Sequence, residues 1–327
     1  MAGPEPATLR LIDHDAFDQL VTETARRTGL PEAFVEKDYW VTEALRAIAA
    51  TYPGAVVFKG GTSLSKGWRL LARFSEDLDL LVRRDAMTPP WSSGGQMERG
   101  LKDVCAVVGA VGGLTRVPER AGGSRPKRRS EFYAFQARFL LAGLDAGLVV
   151  EPGIGSGDWP TSLCAITSLI ADTVATAGIA EQIGADDLIP FAIETLDPTR
   201  TFIEKLFILH AAVERCRSEQ TSIGRRARHF ADVAVLAEQP AIIDLIRGPT
   251  YRSIVEDVDR SSREWYGSEH NPPADLRFDR SSVFVPSDVA DAAERDYDAQ
   301  CRILFFGRAY PSFAECQSRL EGLRGDL

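Results

Sequence analysis

The chain has 327 residues, 44% apolar and 26% charged, a balance that suits one large or two moderate soluble domains. Its net charge of −9 argues against non-specific coating of nucleic acid while leaving room for local basic patches. The five cysteines are odd in number and scattered, and neither they nor the four histidines stand at metal-ligand spacing, so reduced thiols in the cytoplasm are expected.

In chain order, the N-terminal Met1-Ala2-Gly3-Pro4-Glu5-Pro6 lacks a basic region and an apolar core, so no secretory leader is expected. Residues 8–50 read as two amphipathic helices broken between Arg27 and Pro31. Residues 54–82 read as an apolar strand, a glycine turn, a helix of about ten residues and a second apolar strand. Residues 96–114 look helical and then strand-like. Val104 to Leu114, the longest apolar run, is broken by glycines and is too short to span a bilayer.

Glu131 to Leu140 alternates as a half-buried strand does, and Leu144 to Glu151 is a further strand ended by Pro152-Gly153. No helix opens from Gly153-Ile154-Gly155-Ser156-Gly157, which is therefore a flexible connection rather than a dinucleotide loop. Between Arg116 and Arg138, seven basic residues (Arg116, Arg120, Arg125, Lys127, Arg128, Arg129, Arg138) face two acids (Glu119, Glu131), a local net of +5. With Gly122-Gly123-Ser124 and Pro126 marking a turn, this segment is either a solvated hairpin loop or a contact for a phosphate backbone.

From Asp197 the pattern turns helical. Asp197 reads as an N-cap before Pro198, with Thr201 and Glu204 as an alternative capping box. Phe202, Leu206, Leu209 and Val213 form an apolar stripe, and a second helix runs from about Arg225 to Glu238. The polar segment from Asp259 to Arg280 reads as a long loop, in which Trp265 and Tyr266 either stack on a base or pack onto the helices.

The chemistry concentrates between residues 58 and 82. Phe58-Lys59-Gly60-Gly61-Thr62-Ser63 places two glycines, which allow close backbone approach and positive φ, at the start of a helix. That first turn offers N–H groups and a positive dipole end to a phosphate. One helix later comes Asp77-Leu78-Asp79. Alternate residues of a strand share a face, so Asp77 and Asp79 project together while Leu78 and Leu80 turn into a core. Mg²⁺ suits two such carboxylates, since water and substrate phosphate complete its shell. The combination is a signature of nucleotidyl transfer.

This stretch resembles motif I of the DNA polymerase β-like nucleotidyltransferases, and more narrowly the AbiEii/MenT toxins of type IV toxin–antitoxin systems. The wording Phe58-x-Gly60-Gly61-Thr62-Ser63-Leu64-x-Lys66 and Arg73-Phe74-Ser75-Glu76-Asp77-Leu78-Asp79-Leu80 is theirs. Val35-Glu36-Lys37-Asp38-Tyr39-Trp40, Thr201-Phe202-Ile203-Glu204-Lys205-Leu206 and Arg228-His229-Phe230-Ala231-Asp232 match further motifs. Asp296-Tyr297, Phe305-Phe306-Gly307 and Pro311-Ser312-Phe313 fit the C-terminal helices. The resemblance implies an α+β fold, with a polymerase β-like nucleotidyltransferase lobe over residues 1–195, a mainly helical lobe over 196–327, and the active site in the cleft between them.

The resemblance also implies roles. Gly60, Gly61, Thr62, Ser63 and Lys66 would hold the nucleotide, and Asp77 and Asp79 a Mg²⁺ or Mn²⁺ ion. Lys205 would bind the β- and γ-phosphates and stabilise the leaving pyrophosphate. Asp232, which spacing alone would pair with Arg228, would orient Lys205 or a substrate hydroxyl. Arg228 and His229 are further candidates for RNA or phosphate contact. A third carboxylate on a neighbouring strand is expected at Glu151, with Asp145 as the fallback; Glu151 as a solvated strand end is the other reading. Ser75 shares the face of Asp77 and Asp79 in an extended strand. Phosphorylation there, by a kinase-like antitoxin, would add roughly −1.5 to −2 charges beside the metal carboxylates and silence the enzyme.

The expected activity is transfer of a nucleoside monophosphate from an NTP to an acceptor, which the family implies is the 3′ end of tRNA, with arrest of translation and growth. The expected partners are NTP, tRNA and a separately encoded antitoxin, with no membrane. The alternatives are a protein AMPylase, an aminoglycoside-type nucleotidyltransferase, or a non-catalytic nucleotide-binding scaffold.

Overall fold

The computed structural model describes residues 9–71, 77–124, 126–155, 157–267, 270–305 and 309–327. Its first elements are α1 (Phe17–Thr28), α2 (Glu32–Thr51), β1 (Val56–Lys59), α3 (Gly60–Thr62) and β2 (Asp77–Val82). Then follow α4 (Gly94–Gly109), β3 (Thr115–Gly122), β4 (Ser130–Ala134), β5 (Gly147–Gly153), β6 (Thr161–Ile166), α5 (Leu169–Ala177), α6 (Ala180–Ile183) and β7 (Phe191–Leu196). The remainder is helical: α7 (Pro198–Glu219), α8 (His229–Leu236), α9 (Pro240–Arg247), α10 (Tyr251–Tyr266), α11 (Ala290–Phe305) and α12 (Phe313–Glu321). Among the described residues the strands form one seven-stranded sheet in the order β3-β4-β5-β2-β1-β7-β6. β2 pairs parallel to β5, whereas β3, β4 and β5 run antiparallel in succession. The α+β class read from the sequence is the class observed.

The chain divides into two compact units. One draws on residues 1–58, 76–153 and 163–194, the other on 59–75, 154–162 and 195–327. Instead of a single cut at residue 195, the chain contributes two short excursions to the helical unit.

In the first unit α2 is the spine. Its apolar residues bury against α1 and the sheet side, with Tyr39 edge-on to Phe17 at 5.4 Å and Trp40 stacked on Phe135 at 5.5 Å. Its polar residues serve backbone. Buried Glu36 accepts from the N–H groups of Arg138 and Phe139 at 2.9 and 3.0 Å. Lys37 donates to the Asp145 carbonyl at 3.0 Å, and Asp38 accepts from the Leu169 N–H at 2.8 Å. A buried charge must be hydrogen-bonded, so this polar run fastens loops that would otherwise lack partners.

The second unit is built on α7. Asp197 caps it, accepting from the Thr199 N–H at 2.9 Å, with Pro198 at the first helical position. Phe202, Leu206, Leu209 and Val213 lie buried in one apolar cluster with Phe230 and Val233 of α8 and Ile254, Val255 and Val258 of α10. The alternative Thr201–Glu204 box does not form, because Glu204 pairs with Arg200 and Lys59.

Several boundaries differ from the sequence reading. The helix after the glycine pair ends at Gly67, in a five-residue π-helical turn. β4 stops at Ala134, and β5 begins only at Gly147 because Leu144 turns back to hydrogen-bond the Leu141 carbonyl. β5 continues through Pro152, whose carbonyl accepts from the Arg129 N–H. The expected loop after Asp259 is helical as far as Tyr266, since α10 has a buried face to dock. Trp265 lies against Gly155, where an added Cβ would come within 3.1 Å of the indole, so it packs within its own unit.

Asp187 ties three elements of the first unit, accepting from the Leu11 N–H at 2.9 Å and the Tyr39 hydroxyl at 2.7 Å. Asp187→Ala is expected to cost roughly 2–4 kcal/mol, because it strands two buried donors. Urea unfolding measures this, and a loss below about 0.5 kcal/mol would show that the tie is dispensable.

Candidate active site

In β2 the side chains alternate: Leu78 and Leu80 are buried, and Asp77 and Asp79 are partly exposed on the opposite face. The parallel register sets Asp77 beside Val149 and Asp79 beside Glu151. Side chains paired across parallel strands share a face, so Asp77, Asp79 and Glu151 lie on one side of the sheet. Glu151 is held by an ion pair with Arg128. Asp145 instead lies outside β5 and pairs with Arg120 at 2.8 Å.

The second unit carries the glycine turn and α7. Lys59 ends β1 in extended backbone, and Gly60 follows at φ 77°, a left-handed conformation that an added side chain would strain. Lys59 gives the helix no side-chain cap. Thr62 and Ser63 are buried, and the Ser63 hydroxyl donates to the Gly60 carbonyl at 2.9 Å; Lys66 is partly exposed. Leu64 of this turn packs in the same apolar cluster as Phe202, Ile203 and Leu206, and Lys59 reaches Glu204 at 3.6 Å. The turn and the Glu204-Lys205 segment are therefore brought together within one unit.

Lys205 is 4% exposed, and its ammonium donates to Asp232 Oδ2 at 2.8 Å; Asp232 is fully buried. The same Nζ stands 2.9 Å from Nδ1 of His229, which opens α8 one turn before Asp232. His229, weighed from sequence as an RNA or phosphate contact, thus touches Lys205. Sequence reading also passed over Arg200. It is fully buried and donates to Asp257 at 2.7 Å and to the Trp159 carbonyl at 2.8 Å, and it pairs with Glu204 at 3.2 Å. Its i,i+4 spacing to Glu204 was the available signal. A Cβ on Gly157 would sit 2.0 Å from Arg200 Nη2, so this position has no room for a side chain.

Five of the seven basic residues of the segment have carboxylate partners among the described residues. Arg116 and Arg129 pair with Glu131, Arg120 with Asp145, Arg128 with Glu151 and Arg138 with Asp18. Three of those carboxylates, Asp18, Asp145 and Glu151, lie outside the positions counted in the sequence. Ser75, together with Arg73, Phe74 and Glu76, lies outside the described residues, as do Arg125 and Phe306-Gly307.

A sheet-borne Asp-x-Asp, a glycine turn opening a helix and a buried lysine–aspartate pair are the features the sequence led one to expect of a nucleotidyltransferase. The chain belongs to the family described as the AbiEii nucleotidyl transferase toxin of type IV toxin–antitoxin systems, whose sequence profile matches residues 43–319. It is thus a nucleotidyltransferase of a toxin family, and membership implies an NTP substrate and a separate antitoxin. A search of curated proteins gives no match. Among solved structures, MenT4, a nucleotidyltransferase toxin from Mycobacterium tuberculosis H37Rv, is 17% identical and aligns over 86% of this chain and 98% of its own with a TM-score of 0.39. JHP933 from Helicobacter pylori is 16% identical over 86% and 88% of the two chains, with a TM-score of 0.42. A putative nucleotidyltransferase from H. pylori is 14% identical over 86% and 91%, with a TM-score of 0.43. Among the described residues no helix is long and apolar enough to cross a membrane.

Nucleotidyltransferases generally use divalent metal ions. The donors of β2 fit a hard cation: two carboxylates on one face, with Glu151 in register beside the second. Among the described residues no group of three or more His, Cys, Asp or Glu side chains forms a ready-made cage. Two carboxylates suffice for Mg²⁺, which keeps waters and substrate oxygens.

Burial, reinforced by the Lys205 ammonium, pushes the His229 imidazole down to about 3, with Asp232 pulling the other way. An unhindered histidine titrates near roughly 6.5. Between those values the unfolded chain binds a proton that the folded protein does not, so stability rises with pH through this window and is lost as pH falls toward 3. His229→Asn is expected to flatten that acid limb. Denaturant unfolding at pH 4 and pH 7 reads it, and an unaltered difference between the two would show that another group sets the limb.

Proposed function

We propose that the protein is a metal-dependent nucleotidyltransferase toxin that moves a nucleoside monophosphate from an NTP to the 3′ end of tRNA, and so arrests translation and growth. The observation that carries the catalytic half is the alternation of β2, which leaves Asp77 and Asp79 on one face while Leu78 and Leu80 are buried. The tRNA acceptor rests on the family likeness.

In this reading Asp77 and Asp79 hold the cation, Mg²⁺ or Mn²⁺, which neutralises charge on the triphosphate and favours the attacking hydroxyl. Glu151 is the third carboxylate. Arg128 is its present partner, so a cation at Glu151 has to displace that guanidinium. The turn from Gly60 to Ser63, with Lys66, cradles the phosphates through backbone N–H groups and the positive helix end. Lys205 offsets charge developing on the pyrophosphate leaving group, and Asp232 keeps its ammonium aimed. A buried lysine with a buried aspartate partner is better suited to this than a solvated one, since its geometry is set before substrate arrives.

Asp79→Ala is expected to lower transfer of label from [α-³²P]NTP to total tRNA by about 10³-fold or more, with thermal unfolding little changed. Lys205→Ala is expected to lose comparable activity, and Lys205→Arg to recover only part of it, because the planar fork differs in reach. Lys205→Ala also leaves Asp232 buried without its ammonium, so rates are taken per folded enzyme, with circular dichroism as the control. Retained transfer by a well-folded Asp79→Ala protein overturns the catalytic reading. Label entering protein instead of tRNA overturns the acceptor.

A further inference from the structure

His229 Nδ1 stands 2.9 Å from Lys205 Nζ and 3.2 Å from Asp232 Oδ2, the oxygen to which Lys205 also donates at 2.8 Å. An ammonium has donors and no acceptor. Nδ1 accepts from it in the tautomer protonated on Nε2. The other tautomer would turn Nδ1–H to Asp232 and set two donors against each other at the shorter contact, so the Nε2 tautomer is the one assigned. Two acceptors 3.2 Å apart repel one another unless a cation lies against both, and Lys205 is that cation. The chain arranges this economically. His229 and Asp232 are one turn apart on α8, so they share a face, and Lys205 comes to them from α7.

We propose that His229 is a positioning residue for Lys205, the neutral second acceptor that, with Asp232, fixes the direction of the ammonium for the triphosphate. This rests on the reading that Lys205 binds that triphosphate. A lysine ammonium on a flexible four-carbon stem, held by one acceptor, still swings about that contact. A second acceptor removes the swing. The neutrality matters as much as the contact. A second carboxylate at position 229 would add a negative charge beside the ammonium and weaken its attraction for phosphate. A neutral imidazole leaves it able to receive an anion, and burial together with the Lys205 and Arg228 charges keeps the imidazole unprotonated at physiological pH.

Four proteins separate this from a packing role: His229→Asn, which offers a neutral acceptor at similar reach, His229→Ala, which offers none, His229→Asp, which offers a charged one, and Lys205→Ala as the reference. Each is measured for binding of the four NTPs with Mg²⁺, for kcat and KM of transfer to total tRNA, and for melting temperature. The expected result is a loss of about 10- to 100-fold in kcat/KM for His229→Ala, recovery to within about threefold for His229→Asn, and weaker NTP binding for His229→Asp than for His229→Ala. Activity per folded enzyme that is unchanged in His229→Ala, or that follows melting temperature across the three substitutions, overturns the proposal. Wild-type activity and NTP binding in Lys205→Ala overturns instead the reading on which it rests, and the two failures are told apart by which protein stays active.

Discussion

A charge taken out of water has to find its opposite, and the Lys205–Asp232 pair is where this constraint acts most strongly. The ammonium is 4% exposed and the carboxylate fully buried, 2.8 Å apart. Neither would be tolerated there alone, since breaking a buried pair leaves an uncompensated charge at a cost of about 3–5 kcal/mol. The pair therefore fixes how α7 and α8 meet, and the apolar cluster of Phe202, Leu206, Phe230 and Val233 closes around that arrangement. The packing of these two helices is thus tied to one contact.

The same rule organises the residues around it. Arg200, wholly buried, is matched by Asp257, Glu204 and the Trp159 carbonyl, and Glu204 in turn reaches Lys59 at the head of the glycine turn. A line of paired charges thus runs from α10 through α7 to the residue that precedes Gly60. Gly157 has no side chain because the guanidinium occupies the space where its Cβ would be. In the first unit Glu36, Lys37 and Asp38 play an equivalent part, each hydrogen-bonded to a backbone group of a distant segment.

The nucleotidyltransferase family provides the frame, and the geometry refines it. Asp77 and Asp79 share a face because β2 is a regular strand with a buried leucine on either side of Asp79, and Glu151 aligns with Asp79 because β5 runs parallel at that register. The basic hairpin contributes Arg128 to Glu151 and encloses Glu131 between two arginines, so it acts on its own unit's carboxylates.

Local pattern was enough to read the alternation of β2, the Gly60 turn, the Asp197 cap and the apolar stripe of α7, because each depends on neighbours within a few residues. The class of chemistry followed from the same short stretches. What lies further apart in the chain was decided only by folding. The family likeness had Asp232 orienting Lys205 where spacing alone suggested Arg228; folding brings Asp232 to Lys205, 27 positions away, and adds His229 to the pair. The charge of the 116–138 segment is cancelled partly by Asp18, Asp145 and Glu151, which no window over that segment contains. The polar run after Asp259 is helical because Ile254, Val255 and Val258 give α10 a core to dock against. Periodicity specifies how a segment folds on itself, and the partners of a buried charge are set only when distant segments close around it.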